Sequence, residues 1–185
     1  MAERLDKLST GVGKAYYSII DSETGAYGVP KELNDIVSFS VAPSENTSKF
    51  FAGDRAIVID QAVSVAGTLT VPAINNEQMI DLFGYKKNAK GELLFDANAV
   101  RPNIVLMIEQ HLYGGVTDYI TLWNCKVSLP SVQGDTKNDS VTFASKEISY
   151  EVLIPEDGVY MTVKSSDDDN FEAPDYAQPP VKVIA

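Results

Sequence analysis

The chain has 185 residues, with 26 acidic and 15 basic side chains giving a net charge of −11, and a single cysteine. A chain of this length can bury roughly 70% of its unfolded surface, so neither a disulfide nor a structural metal is needed to hold a core. The acid excess excludes ordinary nucleic-acid binding, in which affinity comes from neutralising phosphates with Lys and Arg.

The first residues, Met-Ala-Glu-Arg-Leu-Asp-Lys, carry mixed charge, and no apolar core of a signal peptide follows. No window approaches the ~20 apolar residues of a membrane span, so the expectation is a soluble protein made in the cytoplasm. Residues 1–13 read as a polar, Gly-containing lead-in. Lys14 to Ile20 reads as a first strand, closed by the turn chemistry of Asp21-Ser22-Glu23-Thr24-Gly25. Pro30 and Asn34-Asp35 punctuate the chain before Ile36 to Val41, where alternation predicts a half-buried strand. Pro43 to Asn46 breaks that pattern. Ser44 to Asp60 is then a long connection, either an extended hairpin or an ordered loop.

Gln61 to Val71 is the clearest strand, with Val63, Val65, Gly67, Leu69 and Val71 on one face and Ala62, Ser64, Ala66, Thr68 and Thr70 on the other. Residues 75–84 predict the one α-helix: Asn75 or Asn76 can cap it, Glu77 lies in its first turn and Gly84 follows its end. Residues 85–100 are a charged connection. Asn103 to Gln110 is apolar on both faces and reads as a central strand. Gly114-Gly115 turns the chain into Tyr119 to Leu129, where Cys125 lies in an apolar run beside Trp123 and reads as a reduced, buried thiol. Gly134 to Ser140 is a polar loop. Beyond it Val141 and Phe143 have one parity and Ile148, Tyr150, Val152 and Ile154 the other, which predicts a bulge near Ala144-Ser145. Pro155-Glu156-Asp157-Gly158 is a turn, and Val159, Met161 and Val163 form the last strand.

Residues 165–185 differ in composition. Asp167, Asp168, Asp169, Glu172 and Asp175 come with no base before Lys182, and Pro174, Pro179 and Pro180 forbid regular structure. Phe171, Tyr176, Val181, Val183 and Ile184 are apolar anchors within this stretch. The organisation is therefore a β domain over 1–164 and an acidic, Pro-containing arm over 165–185, either mobile or docked on a neighbouring molecule. Strands with one short helix give a mainly β class, a sandwich or barrel with a helix on its flank.

Catalytic signals are weak throughout. His111, the only histidine, ends an apolar strand, and no Gly-x-Ser-x-Gly elbow accompanies it, so a strand-end histidine is the favoured reading. Gly11-Val12-Gly13 lacks the later Gly and the following helix of a phosphate loop. The Asp167-Asp168-Asp169-Asn170 run lacks the alternating ligands and sharp Gly of a calcium loop. No catalytic residue, cofactor or metal is expected.

Several segments taken in order carry a resemblance. They are Gly11-Val12-Gly13-Lys14-Ala15-Tyr16-Tyr17, the stretch from Pro30 to Val41, the Phe50 to Asp54 sequence Phe-Phe-Ala-Gly-Asp, Gly67 to Val71 with the helix and Leu82-Phe83-Gly84 after it, and Tyr119 to Phe143. Together they resemble the major tail protein family of long-tailed, non-contractile phages of Gram-positive bacteria. The chain departs from that pattern at Phe51-Ala52-Gly53 and in its Asp-rich end.

The resemblance implies a tail tube fold and a non-enzymatic virion subunit. Such subunits form hexameric rings that stack into a tube, with a tape measure protein in the lumen, terminator and distal tail proteins at the ends, and genome DNA passing through without specific binding. Within that frame Phe50, Phe51, Asp54 and Arg55 are candidates for a ring-stacking loop, and Phe171, Tyr176, Val181 and Ile184 for a docking arm. The competing readings are a tube subunit of a contractile tail or secretion machine, a small-ligand β-barrel, and a hydrolase resting on His111.

Overall fold

A computed structural model describes residues 8–52, 55–129 and 145–183. Its strands are β1 (Ser9–Ile20), β2 (Lys31–Asp35), β3 (Ser38–Ala52), β4 (Arg55–Val71), the short β5 (Lys86–Lys87) and β6 (Leu93–Leu94), β7 (Asn103–Leu112), β8 (Thr117–Val127), β9 (Lys146–Val152) and β10 (Met161–Ser165), with one helix, α1 (Asn76–Phe83). Eight strands join in one antiparallel sheet of order β2-β1-β7-β8-β9-β4-β3, and β10 pairs with β8 beside β9. This is the expected mainly β class with a single flanking helix, consistent with a β-sandwich. Among the described residues no helix is long and apolar enough to cross a membrane.

β7 is central because both of its faces are covered. Ile104, Leu106 and Ile108 enter the main core with Tyr17, Leu69, Leu122, Tyr150 and Val152. Val105 and Met107 point the other way and form a second cluster with Trp123, against which Tyr16, Ile20, Tyr27 and Tyr176 pack. The apolar-on-both-faces pattern of this segment follows from that double burial.

The helix closes the main core. Asn75 and Gln78 form the reciprocal capping box, and Gly84 ends the helix in the left-handed region at φ 71°. Met79, Leu82 and Phe83 face the core. Its polar side is tied to the sheet: Tyr17 Oη donates to Asp81 Oδ2 at 2.8 Å, Lys31 Nζ reaches the same oxygen at 2.6 Å, and Gln78 Nε2 donates to the Glu32 carbonyl at 3.1 Å.

β8 contains the pivot of the sheet. Leu122 pairs with Leu106 and Cys125 with Ile104, so Trp123 and Asn124 together oppose Val105 alone. This is a β-bulge, and Asn124 takes the left-handed conformation at φ 60°. Inward-facing residues change parity across it, from Ile120 and Leu122 to Cys125 and Val127. The free edge of β8 also changes partner there. Residues 118–122 pair with β10 and residues 125–127 with β9. The Trp123 N–H goes to the Tyr160 carbonyl, whereas the Asn124 carbonyl accepts from the Leu153 N–H. The Asn124 side chain braces the bulge between its neighbours, accepting from Asn103 Nδ2 on β7 at 2.9 Å and donating to the Leu153 carbonyl just past β9 at 3.1 Å.

Four expectations need correction. β1 begins at Ser9, so residues 9–13 are strand and not lead-in, and the last strand begins at Met161 and leaves out Val159. Pro43 does not break a strand: β3 runs through it, with Pro43 opposite Val65. β3 is the outermost strand, and an edge strand tolerates proline because one side has no ladder to complete. The segment Ile36 to Val41 is not one strand either, since a bend at Ile36-Val37 separates β2 from β3. The polar loop at 134–140, Val141, Phe143 and Ala144 lie outside the described residues.

Removing the Asn124 amide while keeping its backbone strained should cost about 1–3 kcal/mol. Asn124→Ala is therefore expected to lower the urea midpoint, with Asn124→Gly milder because glycine accepts the left-handed backbone. Equal midpoints for wild type and Asn124→Ala would contradict the pivot. Cys125 is a free, buried thiol. Burial pushes it up to about 12, against a smaller opposing effect of the Leu106 backbone. It should not react with a disulfide reagent at pH 8 until the protein is unfolded. Because the folded state holds this proton more tightly, stability should fall as pH rises from the ordinary thiol range toward that value.

Candidate assembly surfaces

Among the described residues three strands have a single partner: β2 and β3 at the two ends of the strand order, and β10, which pairs only with β8. β3 is the longest, and its inner half is firmly anchored. Tyr150, on β9, lies across Gly67 of β4, and its hydroxyl donates to the Ser40 carbonyl of β3 at 2.7 Å. Gly67 is required for this crossing: a Cβ there would stand 2.1 Å from the Ser40 oxygen and 2.5 Å from Tyr150 Oη. Burial and a neighbouring Cys125 raise the Tyr150 phenol above its ordinary range, so it remains a hydrogen-bond donor at any physiological pH.

The outer half of β3 behaves differently. β4 pairs with β9 only from Val65 to Val71, while its pairing with β3 continues from Ser38–Thr70 out to Ala52–Arg55. Residues 55–64 of β4 and their partners on β3 therefore form a two-stranded ribbon with no third strand on either side among the described residues. Ten residues at ~3.3 Å each give it a length of roughly 33 Å. The register slips once, between Glu45 and Thr47. Of the two alternatives for this connection, the extended hairpin is the one formed. Phe50 and Phe51 lie on β3 opposite Ile57 and Ala56, and Arg55 opens β4 opposite Ala52. Asp54 lies outside the described residues.

The second candidate surface is the C-terminal arm. β10 carries the chain along β8, and Ser166 then exchanges bonds with Thr117: its N–H reaches the Thr117 carbonyl and its Oγ accepts from the Thr117 N–H. Ser165 Oγ donates to Asp118. Phe171 stacks on Tyr119 at 5.5 Å, with Lys164 Nζ 5.9 Å from the Phe171 ring centre. Tyr176 stacks on Tyr16 at 3.7 Å and 12°, and its hydroxyl donates to Glu109 Oε1 at 3.2 Å. These contacts seat the arm on the sheet of its own chain, a third outcome beside the mobile arm and the neighbour-docked arm. The physical reason is the second apolar cluster, which needs Tyr176 to cover it. Val181 is 80% exposed, and Ile184 lies outside the described residues. Asp167, Asp168 and Asp169 are exposed, with Asp168 capping the Ser165 N–H.

Of the residues singled out for other chemistry, His111 is exposed at the end of β7. Its Nδ1 lies 3.2 Å from Thr117 Oγ1, and Gly13 passes against its Nε2. Sequence reasoning missed the Tyr150–Gly67–Ser40 anchor. A glycine at the centre of the most regular strand was the available signal, because a gap there invites an aromatic side chain from the next strand.

Neither a family model nor a curated protein matches the chain. Among solved structures, it is similar to the cryo-EM structure of the anti-feeding prophage cap, described as the tube-terminating cap. The TM-score is 0.50 and the identity 12%, over 86% of this chain and 91% of that one. At this identity the likeness speaks for a shared fold and not for a shared role.

Gly67→Ala is expected to cost about 2–3 kcal/mol by overpacking the crossing, since its Cβ would meet backbone as well as the Tyr150 ring. Tyr150→Phe, which loses only the bond to Ser40, should cost about 1 kcal/mol. Urea denaturation followed by circular dichroism measures both, and equal losses for the two variants would contradict the steric role of Gly67.

Proposed function

We propose that the chain is a non-catalytic structural subunit of a phage tail tube, assembling as stacked, hexameric rings around a conduit for DNA. The observation that carries this reading is the β3–β4 ribbon, whose two edges have no further strand among the described residues, in a fold shared with a protein of a tube-terminating cap. An isolated two-stranded ribbon is only marginally stable in water, so one this long calls for a partner. An open strand binds by adding to a neighbour's sheet. Pairing of β2 of one copy with β3 of the next, two different strands at opposite ends of the sheet, would be heterologous, the interface type that gives a ring where the rotation closes.

The motif order set out above supports the same reading from sequence. The net charge of −11 suits a conduit, since like charge repels DNA within a Debye length of ~8 Å at physiological salt. The partners that follow are further copies of the chain, a tape measure protein in the lumen, and terminator and distal proteins at the tube ends. The product is located in the virion tail.

A second reading, a terminating ring in place of a tube body subunit, is favoured by the description of the structural neighbour as a cap. A body subunit adds ring upon ring, whereas a cap stops at one. A variant tests the ribbon's part in either role. Glu45 and Val63 are cross-strand partners, so replacing residues 46–62 with Asn-Gly joins them by a tight turn. The variant should retain its β circular dichroism and cooperative unfolding but sediment as a monomer at concentrations where wild type forms rings or tubes. Assembly equal to wild type would contradict the proposal.

A further inference from the structure

Lys182 is an unusual lysine for an arm segment: its side chain is 8% exposed. Its Nζ donates to both Asp157 oxygens, at 2.7 and 2.6 Å, and lies 5.7 Å from the centre of the Trp123 ring. Asp157 is fixed in turn, because its Oδ1 accepts from the Val159 N–H in the turn before β10. Contact with Lys182, then with that N–H, holds the Asp157 carboxyl below its ordinary range, so it stays a carboxylate at physiological pH. Trp123 is 3% exposed, and its Nε1 donates to Thr162 Oγ1.

Between Tyr176 and Lys182 the arm turns at Asp175–Gln178, with the Ala177 N–H on Asp175 Oδ1 and the Gln178 N–H on the Asp175 carbonyl. The arm roofs the sheet here without filling the space beneath it. A groove of about 460 Å³ remains, bounded by Met107, Trp123 and Thr162 below and Pro179 and Val181 above. Val181 and Val183, on either side of Lys182, are each 80% exposed. Apolar contact at this end of the arm is therefore slight, with Pro180 half-buried and both valines largely in solvent.

We propose that residues 177–183 form a strap that opens and closes over Trp123, latched by Lys182 between Asp157 and the indole ring and hinged on the anchored Tyr176. The two attachments are chemically distinct. Tyr176 is held by ring stacking and burial, whereas the strap end is held by one charge shared between a carboxylate and an aromatic face. The strap can open while Tyr176 stays seated, as a local transition well below the free energy of global unfolding.

Trp123 is the chain's sole tryptophan and reports directly on the strap. Lys182→Met keeps the length of the stem but removes the charge; Lys182→Arg keeps the charge. Acrylamide quenching of Trp123 should rise about twofold in Lys182→Met and remain near wild type in Lys182→Arg, with the urea midpoint of the β signal unchanged. Equal quenching in Lys182→Met and wild type would overturn the latch. A Lys182→Met variant that uncovers Trp123 only as the whole sheet melts would overturn the independent strap.

Discussion

The fold depends on one extra residue in β8. A strand that alternates regularly can offer its free edge to a single partner and its inner face to a single core. The bulge at Trp123-Asn124 relieves both limits at once. Parity reverses, so Leu122 and Cys125 both point inward although three positions apart, and Trp123 is turned to the opposite face. The edge also divides, with β10 on one side of the bulge and β9 on the other. Asn is one of the few residues suited to this position, because it tolerates the left-handed backbone and its amide bonds both flanks.

That division separates the two surfaces of the molecule. Through β9 the chain reaches β4 and the long edge hairpin. Through β10 it reaches the arm, which returns over the face to which Trp123 was turned. The main core, capped by α1, is complete within the chain. Among the described residues the β3–β4 ribbon leaves an edge open on each of its strands, and the arm instead uses its aromatic residues to cover its own sheet. The ribbon is for this reason the stronger candidate for contact between copies.

What could be read in the sequence was local. The helix over 75–84 was legible because its cap, its first-turn acid and its terminal glycine lie within ten residues of one another. β4 and β7 were legible because period two and double-sided apolarity are properties of the segment itself. Pro43 was misread because its tolerance depends on β3 being outermost, a fact of topology that no window contains. The seat of the arm was hidden for a similar reason, since Tyr16 and Tyr176 meet from opposite ends of the chain. The bulge left a trace in the adjacent apolar pair Leu122-Trp123, where the alternation of Ile120 and Leu122 shifts to that of Cys125 and Val127. Of the residues chosen for assembly, Phe50 and Phe51 fall on the ribbon and Phe171 and Tyr176 on the chain's own sheet. The Lys182 latch had no sequence signature beyond a lone base in an acidic tail.

The central claim is that this chain is a subunit of a hollow assembly. Negative-stain electron microscopy of the concentrated wild-type protein, with light scattering on the same sample, tests it most directly. The account predicts rings or tubes with an open centre and scattering that grows with concentration. A species that stays strictly monomeric at every concentration, and remains so when pre-formed tail tubes are added as seeds, would contradict it.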